Sequence, residues 1–102
     1  MSATTLAIDL IVSDPKVRSG RPVIAGTGIC VSDIAAATVF HGQTPDEIAL
    51  GYKLSLAQVY AALAYYYQHK AEIDDELRQR AERSRSMKEQ GLGSRGGNSI
   101  LL

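Results

Sequence analysis

Residues 44–67, TPDEIALGYKLSLAQVYAALAYYY, decide the fold of this chain. Thr44 stands before a proline and is followed three residues later by Glu47, which is the pattern of a helix-capping box with proline at the first helical position. Ser55 and Gln58 repeat the capping pattern further along. The stretch therefore predicts two capped helices, joined by a connection of the length found in helix-turn-helix motifs.

A third helix is predicted before this pair. Ser32 is the expected N-cap of a helix over Asp33–His41, and Gly42 is the expected residue that ends it. The helix from Ser55 has apolar residues at helical spacing and is expected to run at least to Lys70. The three helices together predict a three-helix unit.

The segment before the helices is predicted to be a β arm followed by a loop. Leu6–Val12 is apolar and rich in β-branched residues, which is typical of a short strand. Between Ser13 and Gly28, proline and glycine are too frequent for a helix or a long strand, and Val23-Ile24 is expected to pack on the core or to form a short paired strand. The predicted organisation is an arm and loop over 1–31, a helix-turn-helix domain over 32–77, and a basic, flexible tail over 78–102.

The charge distribution is asymmetric although the 102 residues carry 11 basic and 11 acidic side chains. Residues 1–76 hold five Lys and Arg against nine Asp and Glu, a net charge of −4, and residues 77–102 hold six against two, a net charge of +4. The basic tail either binds an acidic protein surface or a phosphate backbone, or only keeps an exposed segment solvated.

Composition excludes several function classes. Cys30 is the only cysteine and forms no internal disulfide, and the chain has no leader pattern and no run of 18 apolar residues, so a cytoplasmic protein without a membrane segment is expected. Cys30, His41 and His69 do not have metal-ligand spacing, and Gly26–Gly28 is not a phosphate-binding loop. We expect no cofactor, no metal and no enzymatic activity.

Several motifs between Ile11 and Tyr67 occur in a specific order and spacing. They are the Ser-Asp-Pro turn at 13–15, SGRPVIAGTGI at 19–29, VSDI at 31–34, HGQTPDEI at 41–48 and LSLAQVYAALAYY at 54–66. In this order they resemble the bacterial domain-of-unknown-function family 433. That family usually has Gly-Thr-Arg where this chain has Gly-Thr-Gly at 26–28, so no role of the arginine is transferred to Gly28.

The resemblance implies a mainly α fold, a three-helix homeodomain-like helix-turn-helix bundle with a short N-terminal β arm. It further implies an antitoxin-like, DNA-associated protein of the VapB type, which neutralises a PIN-type ribonuclease toxin and autoregulates its operon. The alternative is a non-catalytic protein-interaction module with the same fold and no useful DNA affinity. The two hypotheses differ in the DNA binding that they predict at physiological salt.

Any DNA contact must rely on few side chains. The predicted recognition helix, from Ser55 to Tyr67, contains no Lys or Arg, whereas phosphate neutralisation needs cations and base reading uses Arg, Lys, Asn or Gln. The loop at 18–22 is either an anion-binding turn or an exposed turn whose glycines satisfy backbone geometry. The candidate DNA-binding residues are Lys16, Arg18, Arg21, Lys53, Ser55 and Gln58.

Protein partners are predicted on the tyrosine-rich helix and on the tail. Three successive tyrosines lie about 100° apart around a helix, so they do not all face one core. They indicate either a homodimer contact on the outer faces of Ser55–Leu77 or harmless exposure. The segment Asp74–Leu102 is predicted to fold onto the toxin and to be anchored by its apolar end. The candidate partner-binding residues are Tyr65, Tyr66, Tyr67, Arg78, Arg83 and Leu101.

Overall fold

A computed structural model describes residues 2–89, and in this range the chain is mainly helical with a two-stranded hairpin before the helices. A short 3-10 turn, Arg18–Gly20, lies between the strands. The elements are β1 (Ile11–Val12), β2 (Val23–Ile24), α1 (Val31–Val39), α2 (Pro45–Tyr52), α3 (Leu56–Gln68) and α4 (Lys70–Glu89). The predicted mainly α class with an N-terminal β arm is confirmed, and α4 adds a fourth helix to the three predicted.

The hairpin is shorter than the sequence pattern predicts. β1 and β2 are antiparallel, and their register places Ile11 opposite Ile24. The expected strand over Leu6–Val12 is therefore wrong in extent, because only its last two residues belong to the ladder. The residues before Ile11 would have to pair with residues after Ile24, where the chain turns. Within residues 2–89, only the Ala25 N–H reaches back, donating to the Leu10 carbonyl oxygen at 2.8 Å.

Helix α1 begins one half-turn earlier than predicted. Its N-cap is Cys30 rather than Ser32, and the Cys30 N–H donates to Asp33 Oδ2 at 3.3 Å. Ser32 is instead buried within the helix. The helix ends at Val39, two residues before the predicted end, and Gly42 has the positive φ of +61° that the sequence analysis expected of a helix-ending glycine.

Both predicted capping boxes are present. The Glu47 N–H donates to Thr44 Oγ1 at 3.2 Å, and the Thr44 N–H donates to Glu47 Oε1 at 2.8 Å. Ser55 and Gln58 repeat this arrangement at the start of α3. Lys53 ends α2 in the left-handed conformation, with φ +60°, so residues 53–55 form the tight connection of the helix pair.

Helix α3 is the centre of the core. It packs against α1, α2 and both strands. Its buried face is formed by Val59, Ala62, Leu63 and Tyr66, which follow the helical repeat. Each large apolar side chain buried in this way contributes about 1.5–3 kcal/mol. The other buried residues of the core include Val23, Ile24, Val31, Ile34, Ala35 and Ile48.

The prediction that the helix from Ser55 runs at least to Lys70 is wrong. Helix α3 ends at Gln68, because His69 leaves helical geometry with φ −126° and ψ 37°. The His69 ring stacks on Tyr65 with centroids 4.1 Å apart, and its Nδ1 lies 3.1 Å from the Tyr65 carbonyl oxygen. The imidazole therefore occupies the end of α3.

The described chain forms two compact units, one up to Lys70 and one from Ala71 onward. Within the second unit, an i,i+4 ion pair joins Arg80 Nη2 and Glu76 Oε2 at 3.1 Å, and Arg78 pairs with Asp75. From residue 90 onward, the predicted flexible tail lies outside the described residues. Within residues 2–89, none of the helices combines the length and the apolar character that a membrane crossing requires.

Candidate interaction surface

The face of α3 that points away from the core is apolar and accessible. Between Ser55 and Gln68 the sequence contains no charged residue. Tyr60 is 56% exposed and Tyr67 is 60% exposed. A helix that is apolar all round is normally covered on all sides. The α3 outer face, formed by Ala57, Tyr60, Ala61 and Ala64, is therefore a candidate interaction surface.

The N-terminal arm, residues 6–11, turns this face into a groove. One part of the groove, about 470 Å³, is lined by Ile8, Leu10, Ala57, Tyr60, Ala61 and Ala64. A neighbouring part, about 350 Å³, is lined by Leu6, Ile8, Ile11, Ala61, Ala64, Tyr65 and Gln68. Both parts share Ile8, Ala61 and Ala64. We call this feature the α3 groove.

The three successive tyrosines have three different environments, so the prediction that they do not all face one core is confirmed. Tyr66 is fully buried. Its predicted place in a partner contact is therefore wrong, because a core side chain offers no surface to a partner. Tyr67 is exposed, and Tyr65 is half-buried and stacked on His69. Tyr65 and Tyr67 remain predicted partner-binding residues.

The cationic loop after β1 carries Lys16, Arg18 and Arg21, all of which are exposed. Arg18 Nε donates to the Gly28 carbonyl oxygen at 3.0 Å. Arg18 and Ser19 both have positive φ values, 51° and 57°, which are unfavourable for residues with a Cβ. The loop is thus held in a defined shape, in which the Arg18 side chain already has a structural contact.

The remaining DNA candidates lie where α2 passes into α3. Lys53 is exposed in its left-handed turn. Ser55 Oγ accepts the Gln58 N–H at 3.1 Å, and Gln58 Oε1 accepts the Ser55 N–H at 2.8 Å. These two polar side chains, which the sequence named as candidate DNA-binding residues, therefore cap α3. Their role in DNA binding stays a prediction.

Helix α4 carries most of the basic charge of the described residues. From Ala81 to Lys88 every residue is exposed. Arg83 lies within this stretch, and Arg78 is exposed and paired with Asp75. The predicted contact of Leu101 lies outside the described residues. The cations of this helix beyond Leu77 are Arg78, Arg80, Arg83, Arg85 and Lys88, against Glu82 and Glu89.

The described residues 2–89 contain no group of three or more His, Cys, Asp or Glu side chains that is placed to hold a metal ion. Cys30 is buried at the start of α1. Among the residues that line the α3 groove, only Tyr65 was predicted from the sequence as a partner-binding residue, and the others were missed. Their signal was available: Leu6, Ile8 and Leu10 alternate in the arm, and a second apolar stripe follows the outer face of α3.

A family model described as "Protein of unknown function (DUF433)" matches residues 11–66. The chain belongs to this family. The DUF433 match covers the hairpin, α1, α2 and almost all of α3, whereas α4 and the Leu6 and Ile8 side of the groove lie outside it. Comparison with curated proteins gave no match, and comparison with solved structures gave none either.

Proposed function

We propose that this protein is the non-catalytic, antitoxin-like partner of a PIN-type ribonuclease, which it neutralises by binding. The class of partner comes from the resemblance of residues 11–67 to the family. The mode of action is occupation of the ribonuclease surface, with no bond chemistry in this chain. The proposal rests on the last two turns of α4, which are charged and have no buried apolar face.

The exposed cationic stretch of α4 is the observation that carries the proposal. A helix owes most of its stability in a protein to the packing of an apolar face. Residues 81–88 are all exposed, so this stretch of the helix is available to a partner. Within residues 81–88, three Lys and Arg stand against one Glu, which favours a partner with an acidic surface.

The test is a binding and inhibition assay with a PIN-type ribonuclease, the class of partner that the family resemblance implies. We expect the two proteins to form a stable complex in which RNA cleavage is suppressed. An Arg83→Glu/Arg85→Glu double variant should weaken the complex at least about tenfold, because it places acidic charge against an acidic surface. Circular dichroism checks that α4 still forms.

A matched control carries the same change of charge elsewhere. In the Lys16→Glu/Arg21→Glu variant the two reversals lie in the cationic loop, and the affinity for the ribonuclease should stay within about twofold of the wild type. Equal loss of affinity in both double variants would show that only net charge matters. That result, or the absence of a complex with the wild-type chain, would contradict the proposal.

Association with DNA is a second candidate function, supported by the exposure of Lys16, Arg21 and Lys53. These cations can bind DNA phosphates, and such contacts give affinity that does not depend on the base sequence. The neutral α3 offers little direct readout, and this favours the alternative of a protein-interaction module without useful DNA affinity. Binding of the chain to the promoter of its own gene at physiological salt distinguishes the two functions. Binding that persists at this salt concentration supports autoregulation, and binding that disappears supports the interaction module.

A further inference from the structure

The α3 groove combines a protrusion and a hollow on one surface. Tyr60 projects from the outer face with more than half of its surface exposed. Beside it, Ala57, Ala61 and Ala64 leave a hollow floor, which the arm residue Ile8 borders. A surface that holds both a protrusion and a hollow of matching apolar character can pair with a copy of itself.

The apolar area fits a dimer of ordinary size. Leu6 and Ile8 are 86% and 75% exposed, and Tyr60 and Tyr67 are each more than half exposed. Taking about 200 Å² for each whole side chain, these four alone expose roughly 550 Å². The alanines and Gln68 extend the same face. The total approaches the roughly 800 Å² per partner that a standard stable interface buries.

The chemistry of the groove selects against charged occupants. No Lys, Arg, Asp or Glu lines either part of it. A phosphate backbone would find no cation there, and a charged helix would lose hydration without gaining a partner charge. An apolar, uncharged partner is required, and the second α3 of an identical chain meets this requirement.

We infer that the α3 groove binds a second copy of this chain. A two-fold axis that crosses α3 between Ala61 and Ala64 brings Ala61 of one copy onto Ala64 of the other. The small side chains let the two helices approach closely, and Tyr60 of each copy packs beside the alanine floor of the other. The two α3 helices are then antiparallel, so the positive end of each helix macrodipole lies near the negative end of the other, which is favourable.

This dimer changes the role of α3. In a helix-turn-helix protein the second helix of the pair normally lies in the major groove of DNA. Here that helix is covered by its counterpart, so any DNA contact depends on the cationic loop and Lys53. The inference concerns the chain alone, and it stands or falls independently of the ribonuclease.

The test is the mass of the full-length chain in solution, measured by sedimentation equilibrium. We expect the wild type to be a dimer, twice the chain mass of 11.0 kDa, at micromolar concentrations. Ala64 is exposed and glutamate is a good helix former, so an Ala64→Glu variant should fold. It should raise the dissociation constant of the dimer at least about 100-fold, because each copy then buries a carboxylate.

Two further variants locate the interface. Leu50→Glu places the same charge at an exposed apolar position on α2 and should leave the dissociation constant within about threefold of the wild type. An equimolar mixture of Ala64→Glu and Ala61→Lys chains should form a heterodimer at least about tenfold tighter than either variant alone, because the opposite charges meet across the axis. A monomeric wild type, an unaffected Ala64→Glu variant or a dimer lost in Leu50→Glu would overturn the inference.

Discussion

Ser55 and Gln58 exchange two hydrogen bonds: Gln58 Oε1 accepts the Ser55 N–H at 2.8 Å, and Ser55 Oγ accepts the Gln58 N–H at 3.1 Å. This pair begins the helix that would read DNA in a helix-turn-helix protein. Using both side chains as caps satisfies backbone groups that the first turn of a helix otherwise leaves without partners. Their first role is therefore the stability of α3.

Replacing Ser55 by alanine should lower the free energy of unfolding by about 1 kcal/mol, because an N-cap hydrogen bond to the first turn is lost. Urea denaturation followed by circular dichroism measures the change. A Thr44→Ala variant, which removes the equivalent cap of α2, serves as the matched comparison and should lose a similar amount. A decrease of less than about 0.2 kcal/mol in the Ser55→Ala variant would contradict a stabilising role for the Ser55–Gln58 capping box.

The left-handed turn at Lys53 predicts a stabilising substitution. With φ +60°, a residue that carries a Cβ is disfavoured there, and glycine adopts this conformation readily. Lys53→Gly should raise the free energy of unfolding by roughly 0.5–1 kcal/mol. Lys53→Ala removes the same charge but keeps the Cβ and should not stabilise the chain. Equal effects of the two variants would attribute the gain to the lost charge.

Truncating a side chain to alanine should affect stability strongly on the buried face of α2 and weakly on its exposed face. Ile48 is 1% exposed and Leu50 is 83% exposed, although they lie two residues apart. Ile48→Ala should lower the free energy of unfolding by about 2–5 kcal/mol, because it leaves a cavity in the core. Leu50→Ala should change it by less than about 0.5 kcal/mol. Thermal unfolding of both variants measures the contrast, and similar losses would contradict this packing of α2.

Local sequence determined the parts of the fold that depend on near neighbours. The capping boxes at Thr44 and Ser55 and the positive φ of Gly42 involve residues a few positions apart, so pattern alone located them, although α1 ends at Val39 rather than at the predicted His41. The length of β1 depends on another segment, because it is set by what β2 offers. The end of α3 at His69 is local, since the His69 ring stacks on Tyr65 four residues earlier, but no glycine or proline marks it in the sequence.

The site was less predictable than the fold because its two sides come from distant parts of the chain. The outer stripe of α3 is visible in the sequence, but the arm that borders it is brought there only by folding. The burial of Tyr66 likewise depends on which helical face meets the core. Sequence analysis therefore named all three tyrosines and overlooked Ala61, Ala64 and Ile8.

Salt dependence tests how much DNA affinity the exposed cations supply. The DNA affinity should fall with rising salt concentration, and the slope of log affinity against log salt should be no steeper than about −4, since each phosphate contact contributes about −0.9. This limit follows from four candidate cations, which are Lys16, Arg18, Arg21 and Lys53. An Arg21→Gln variant should reduce the slope by about 1. Binding of promoter and unrelated duplexes, followed by fluorescence anisotropy, measures both. A much steeper slope would place further cations, such as those of α4, on the DNA.

The central claim is that this chain silences a PIN-type ribonuclease by occupying it. The most direct measurement is the RNA-cleaving activity of a PIN-type ribonuclease, titrated with the full-length chain at fixed enzyme concentration. We expect the activity to fall linearly and to reach its floor at a fixed whole-number ratio of the two proteins. Activity that stays unchanged at a large molar excess of this chain would contradict it.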